Sequence, residues 1–336
     1  MGSNGTSGRH DRQNAPGAGL PVIAVIGEAL IDLIVAGNGE GAGNGEGTAV
    51  VAARPGGGPY NTARTLGRLG MAPVFLGRLS GDGFGRMLRA RLDADGVTLG
   101  IPEPSEAPTT LAVAEIDPAG AARYGFYLAG TAAADLAYPA LAAALPSGVT
   151  AVHAGTLGLV MEPVGSGAER AILRDVPPDA LVMVDPNCRP GAIGDRAAYL
   201  ARIGRILRRA DVVKVSVEDL DYLSPGVPVR TAAAAMLDAG PALVLVTDGP
   251  RPARAFLPGK EIAADVPEVQ VVDTIGAGDA FGGAFLARWS AAGLTRSDLK
   301  RPGPVGEALR AAVEVAALTS TRAGAEPPWG TPTGLR

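Results

Sequence analysis

The first clear pattern along the chain is a short apolar run, Val22-Ile-Ala-Val-Ile26, bounded by Pro21 and Gly27; it predicts a buried strand. A second run, Leu30-Ile-Asp-Leu-Ile-Val35, sets one carboxylate, Asp32, among strand formers, and Ala49–Ala53 returns from a glycine-rich interval. Gly56-Gly-Gly-Pro59 then gives way to Tyr60–Leu69, whose apolar residues recur at helical spacing. Pro73–Leu79 predicts a strand and Arg86–Leu92 a helix. Thr109–Ile116 and Ala122–Leu128 flank Asp117-Pro-Ala-Gly120, the signature of a hairpin with turn residues at its tip. From about residue 150 the pattern alternates. Strands are predicted at Ala151–Ala154, Leu181–Asp185, Val212–Val215 and Leu243–Thr247, with helices near Glu169–Arg174, Arg196–Arg209, Thr231–Ala239 and Val305–Thr319.

Such alternation implies right-handed crossovers and a mostly parallel sheet covered by helices on both faces. Ligands in these sheets bind beyond the carboxyl ends of the strands. Three polar clusters fall at those ends: Asp185-Pro-Asn187, Lys214-Val-Ser216 and Thr247-Asp-Gly249. The early hairpins lack helices to cover them and are expected to form a small β lid over the same edge.

The chemistry concentrates in Asp273-Thr-Ile-Gly-Ala-Gly-Asp-Ala-Phe281. An alternating run, Val266–Val272, precedes it, and a helical pattern follows from Ala280. Gly276-Ala-Gly278 therefore forms a turn that opens a helix, where unpaired backbone N–H groups and the helix dipole gather around an anion. Asp279, at the helix entrance, is placed to take a proton from an attacking hydroxyl. The alternative is a glycine-rich turn in which Asp279 only favours the helix start.

Composition narrows the choice. The chain has 336 residues, enough for one large α/β domain, and its net charge of −4 comes without a basic cluster, against nucleic acid as a partner. No apolar run spans a bilayer. The single cysteine, Cys188, excludes an internal disulfide framework and suits a reducing cytoplasm. Cys-His catalysis is disfavoured, because His10 lies in a tail and His153 in an apolar run. Residues 1–19 are expected to be a disordered tail and Gly37–Gly47 a mobile loop, leaving 20–330 as one domain with lid strands from about 30–55 and 109–130.

Four blocks, in order, resemble the ribokinase-like (PfkB) carbohydrate kinases, and among them the bacterial fructokinases: Gly27-Glu-Ala-Leu-Ile-Asp32; Gly56-Gly-Gly-Pro-Tyr-Asn61 with Leu66-Gly-Arg-Leu-Gly70; Asp185-Pro-Asn-Cys-Arg189; and Asp273–Phe281. A dinucleotide fingerprint is missing after the first strand. The resemblance implies an α/β, three-layer ribokinase-like sandwich with a mostly parallel central sheet and a small β lid. It also implies transfer of the ATP γ-phosphoryl group to a sugar hydroxyl.

By the same resemblance Asp279 is the base, and the amides of Gly276, Ala277 and Gly278 form the anion hole. Asp32, Gly57, Gly58 and Asn61 bind sugar, although Asp32 as an exposed strand carboxylate and Asn61 as a helix cap are the plainer readings. Tyr127 or Phe126 closes the pocket or fills the lid's apolar face. Arg189 meets the transferred phosphoryl group or is a solvated loop residue. Asn187, Lys214, Ser216, Thr247 and Gly249 attend the nucleotide, with Lys214 as a surface charge the alternative. Magnesium (Mg2+) maps onto Asp219 or its neighbour Glu218, in a Ser216-Val-Glu-Asp219 segment that departs from the family pattern at both ends. Asp273 and Ile275, with the Arg322–Ala325 loop, resemble a monovalent-cation region that potassium (K+) would occupy. Pro252 stands where the family's Thr247–Gly249 loop has a second glycine.

The expectation is an ATP-dependent ketohexose kinase, fructose first, in a homodimer. Ribose and 2-keto-3-deoxygluconate kinases of the family are alternatives, as is a non-catalytic sugar-binding relative.

Overall fold

The computed structural model describes residues 21–36, 51–116, 122–331 and 334–335. The expected tail, the glycine-rich loop and the Asp117–Gly120 turn lie outside the described residues. In chain order the elements begin with β1 (Val22–Ile26), β2 (Leu30–Ala36), β3 (Val51–Gly56), α1 (Gly58–Arg68), β4 (Val74–Leu76), α2 (Gly83–Ala94) and β5 (Thr98–Leu99). β6 (Leu111–Ile116), β7 (Ala122–Tyr127), α3 (Tyr138–Ala144), β8 (Val149–Gly155), α4 (Val164–Arg174), β9 (Leu181–Asp185) and α5 (Arg196–Leu207) follow. The last part carries β10 (Val212–Ser216), α6 (Val217–Leu223), α7 (Val229–Asp238), β11 (Leu243–Asp248), β12 (Arg251–Leu257), β13 (Lys260–Ala264), α8 (Ala277–Ala291) and α9 (Pro302–Thr319).

A nine-stranded sheet runs β13-β12-β11-β10-β9-β8-β1-β4-β5. Neighbours from β11 to β5 pair in parallel, and β12 and β13 close one side as an antiparallel hairpin. Strand alternation feeds two cores. Ala24 and Ile26 face the layer of α4, α5 and α7, whereas Ile23 and Val25 face α1, α2, α8 and α9. α8 is buried on nearly every side because it is wedged between α1 and α9. Gly283 permits the approach to α1, since a Cβ there would lie 2.8 Å from Thr65 Cβ.

The second sheet, β3-β2-β6-β7, is the expected lid. The chain leaves β1 and enters β2 after only Gly27–Ala29, so the lid's base is tied to the carboxyl end of β1.

The alternating run Val266–Val272 is an extended segment over a cleft, with Val271 and Val272 each 60% exposed, and Val266, Val269 and Val271 line that cleft. The β12–β13 hairpin was hidden by its charged residues and Pro252. Pro252 is tolerated because it falls at the register shift between the Asp248–Arg251 and Val246–Arg254 pairs, where the ladder is already interrupted.

Candidate active site

α8 starts where the sequence indicated. Gly276 is its N-cap in the left-handed region at φ 76°, and a Cβ there would lie 2.3 Å from Ala325 Cβ, so only glycine fits. Gly278 lies close to an ammonium: a Cβ there would stand 2.9 Å from Lys214 Nζ. This is a cradle of backbone amides with an ammonium at its rim, suited to an anion. Asp279 lies in the first turn and is buried, 8% exposed. Burial pushes its pKa upward, while the Asn61 hydrogen bond, Lys214 and Arg189 oppose the shift.

Asn61 does not cap α1. Gly57, at φ 109°, is the N-cap, and Asn61 sits inside the helix with its Nδ2 donating to Asp279 Oδ2 at 2.9 Å. Its Oδ1 is buried without a partner among the described residues, an acceptor left for a hydroxyl. On the other side of Asp279, Gly58 makes room: a Cβ would lie 3.3 Å from Asp279 Oδ1 and 2.1 Å from Thr156 Oγ1.

The lid contributes by register. Asp32 pairs with Arg54 and Ala112, and Ala112 with Phe126, so Asp32, Arg54 and Phe126 share one face. Tyr127 is therefore on the opposite face from Asp32 and is 63% exposed. This corrects the assignment of Tyr127: a strand turns alternate residues apart, and Phe126 is the aromatic on the Asp32 side, stacked on Tyr124 and approaching Gly191. Arg54 reaches across to Asp273 Oδ2 at 3.0 Å.

Asp32 is partly buried, and burial raises its pKa to about 6, with Asp279 adding to the rise and Arg189 opposing it. A folded-state pKa above the ordinary carboxylate value means the charged form destabilises the fold once pH exceeds about 6. Asp32→Asn should therefore stabilise the protein at pH 8, on the order of 1–3 kcal/mol, and give little at pH 4. Urea melts at the two pH values check this; equal effects at both would contradict it.

At the sheet's carboxyl edge, Asn187 (φ 40°) and Thr156 (φ 51°) are the non-glycine residues in the left-handed region among those described, and Asn187 Nδ2 donates to Thr156 Oγ1 at 3.2 Å. For a β-branched threonine this conformation is strained, by about 1–3 kcal/mol. Arg189 is exposed and folds back, its Nη1 donating to the carbonyls of Asn187 and Cys188. Cys188 is buried beside Tyr199, and burial pushes its thiol up to about 12, which makes it inert.

Lys214 is not a surface charge. It is 3% exposed and donates to Asp185 Oδ2 at 2.9 Å. Burial works against its charge, but Asp185, Asp219 and Asp279 outweigh it and raise its pKa. Asp185 Oδ1 is buried without a partner among the described residues. Asp219 is otherwise engaged: it forms a capping box with Ser216 and accepts the Cys188 N–H at 2.6 Å, so both oxygens hold backbone amides. Glu218 is exposed. The buried carboxylate oxygen without a partner among the described residues at this edge is thus on Asp185, while Asp219 is fully engaged and Glu218 faces solvent.

Beside Lys214 opens a cavity of about 770 Å³, within the usual range for cofactor sites, on the order of 300–1,000 Å³. Asn187, Lys214 and Gly278 make one end polar, while Val266, Val269, Val313 and Ala316 make the other apolar. Ser216, Thr247 and Gly249 line it as well, Gly249 (φ 56°) turning the chain tightly into β12. These features fit a nucleotide with its phosphates toward the amide cradle. Asp273 Oδ1 accepts from Ile275 N–H at 3.0 Å and Oδ2 from Gly324 N–H at 2.8 Å, so it fixes the loop before the cradle. A monovalent cation there would compete with Arg54 for this carboxylate.

Sequence reading missed Glu28, Thr156, Arg54 and Arg64. Arg64 is 1% exposed and ties α1 to Asp95, Glu326 and the Ala325 carbonyl, holding the loop against Gly276.

The geometry suits phosphotransfer: an amide cradle, a buried carboxylate and a polar-ended cleft beneath the small sheet. The pfkB family carbohydrate kinase profile matches residues 21–332, and the chain belongs to that family. A fructokinase of Rhizobium leguminosarum bv. trifolii is 34% identical over 266 residues, covering 79% of each chain. The fructokinase of Xylella fastidiosa with bound ATP superposes with a TM-score of 0.79 at 27% identity, covering 90% of this chain and 93% of that one. That of Vibrio cholerae O395, in a fructose-, ADP- and calcium-bound form, gives 0.75 at 27% identity, covering 91% and 94%.

Proposed function

We propose that this protein transfers the γ-phosphoryl group of ATP to a hydroxyl of a ketohexose, with fructose the substrate. The observation that carries the reading is the position of Asp279, a buried carboxylate between the amide cradle and the lid face bearing Asp32. Fructose in the Vibrio relative and in the names of the others supports the choice of sugar.

In this reading Asn61 orients Asp279 through Oδ2, leaving Oδ1 to take the proton of the acceptor hydroxyl. Asp32 and Asn61 Oδ1 hold neighbouring hydroxyls, and Gly57 and Gly58 let the backbone approach the ring. The amides of Gly276, Ala277 and Gly278, with Lys214, meet charge on the transferring phosphoryl oxygens. Arg189 swings from its own loop to the same oxygens. Asn187, Ser216, Thr247 and Gly249 line the nucleotide side. Asp185, with its unpartnered Oδ1, would hold the magnesium that accompanies the phosphates, which would supply charge neutralisation. Potassium, if bound, would lie at the Asp273–Ile275 loop and would share the Asp273 carboxylate with Arg54. The lid closes over sugar and excludes water, so that ATP is not hydrolysed.

No helix among the described residues is long and apolar enough to cross a membrane. A cytoplasmic homodimer is part of the proposal. Coupled ADP release across fructose, tagatose, glucose, ribose, 2-keto-3-deoxygluconate and adenosine tests the substrate. Fructose is expected to give the highest kcat/KM; a clear preference for another sugar would replace it.

A further inference from the structure

We propose that Glu28 is a positioning residue for the sugar side of the site: through the amides of Gly58 and Gly158 it holds Gly58 and the Thr156 hydroxyl against Asp279. Glu28 is fully buried, 0% exposed, in the three-residue link that carries the chain from the central sheet into the lid. Its Oε1 accepts the Gly58 N–H at 3.0 Å, and its Oε2 accepts the Gly158 N–H at 2.7 Å. One carboxylate thus joins two segments far apart in sequence, the first residue of α1 and the turn after β8.

Those two segments meet beside the base. A Cβ on Gly58 would be 2.1 Å from Thr156 Oγ1 and 3.3 Å from Asp279 Oδ1, so the threonine hydroxyl and the carboxylate border the same small space. Thr156 holds that place in a strained conformation, φ 51°. Strain of this kind persists only where the surroundings enforce it. Glu28 supplies the restraint two residues along, at Gly158, whose Cβ would stand 2.7 Å from Gly27 Cα and 3.3 Å from Glu28 Oε2. Burying a carboxyl for packing alone is costly; an apolar side chain would serve better. Burial indeed pushes the Glu28 pKa to about 8, against the amides that favour its charged form. The group is explained by what its two oxygens do together: each end must accept, which neither glutamine nor an aliphatic residue does.

The inference rests on the sugar-kinase reading, so the wild-type panel comes first and supplies the probe sugar, expected to be fructose. In Glu28→Gln, one amide end confronts a glycine N–H with another donor. Calorimetric Kd for fructose without nucleotide, and KM for fructose, should rise about ten- to hundredfold, with ATP KM within about twofold of wild type. A role confined to stability would lower Tm and leave these constants unchanged in the folded enzyme; a native-like Glu28→Gln with wild-type fructose Kd and kcat overturns the proposal. Should Glu28→Gln not fold, Thr156→Gly decides. It removes the strain and the hydroxyl, so Tm should rise while fructose Kd and KM rise about tenfold. Unchanged fructose constants in that variant refute the proposal. Turnover by wild type with unaffected variants sinks this inference alone, whereas no turnover on any sugar sinks the kinase reading and the inference with it.

Discussion

Asp279→Asn is expected to keep the fold and bind both substrates yet lose about 10²–10⁴-fold in kcat, the range for removal of a general base. The substitution preserves volume, and Asn61 Nδ2, which donates to Oδ2 at 2.9 Å in the native protein, would find the amide oxygen there. What disappears is a proton acceptor beside the amide cradle. Because burial raises the native Asp279 pKa above the ordinary carboxylate range, kcat/KM should fall on the acid side as this group protonates, at a pH above that of an exposed aspartate. Asp279→Asn should lack that limb. Steady-state ADP release across pH, with calorimetric sugar binding as the control, checks both parts; near-native kcat in the variant would remove Asp279 from its role.

The second large effect concerns Lys214. Replacing it with methionine keeps much of its bulk but leaves Asp185, 3% exposed, without its ion partner and close to two further carboxylates. Breaking a buried pair from one side costs about 3–5 kcal/mol. The deficit has a pH signature. Asp185 already titrates at about 6 in the native protein, raised mainly by burial, so its contribution favours folding at low pH and is lost as pH rises through that value. Lys214→Met should therefore be most destabilised at pH 8 and recover as Asp185 becomes neutral toward pH 5. Removing both charges, Lys214→Met with Asp185→Asn, should restore most of the stability while ATP KM stays high, because Lys214 Nζ stands at the cradle rim beside Gly278. Denaturant melts at both pH values separate these outcomes; a deficit independent of pH would contradict the coupling to Asp185.

Much of this is legible in the sequence itself. The Gly276–Asp279 turn, the alternating strands after residue 150 and the polar clusters at their ends follow from periodicity and from helix-terminus physics, both local in sequence. Side-chain direction was less accessible. Tyr127 and Phe126 are adjacent, and only the β6–β7 register decides which one shares Asp32's face. The ion partner of Lys214 and the amide partners of Asp219 were hidden for a related reason. A charge next to an apolar strand reads as exposed unless its partner is known, and Asp185 and Cys188 are about thirty residues away. Glu28 and Thr156 act through contacts more than a hundred residues apart or through backbone strain, neither of which has a local pattern.

The most direct test of the central claim is stoichiometric: incubate the wild-type protein with ATP, magnesium and fructose, and quantify ADP and fructose phosphate together. The account predicts that ADP appears only when sugar is present and is matched one for one by phosphorylated fructose. ADP formed without sugar, or no fructose phosphate at any enzyme concentration, would contradict it.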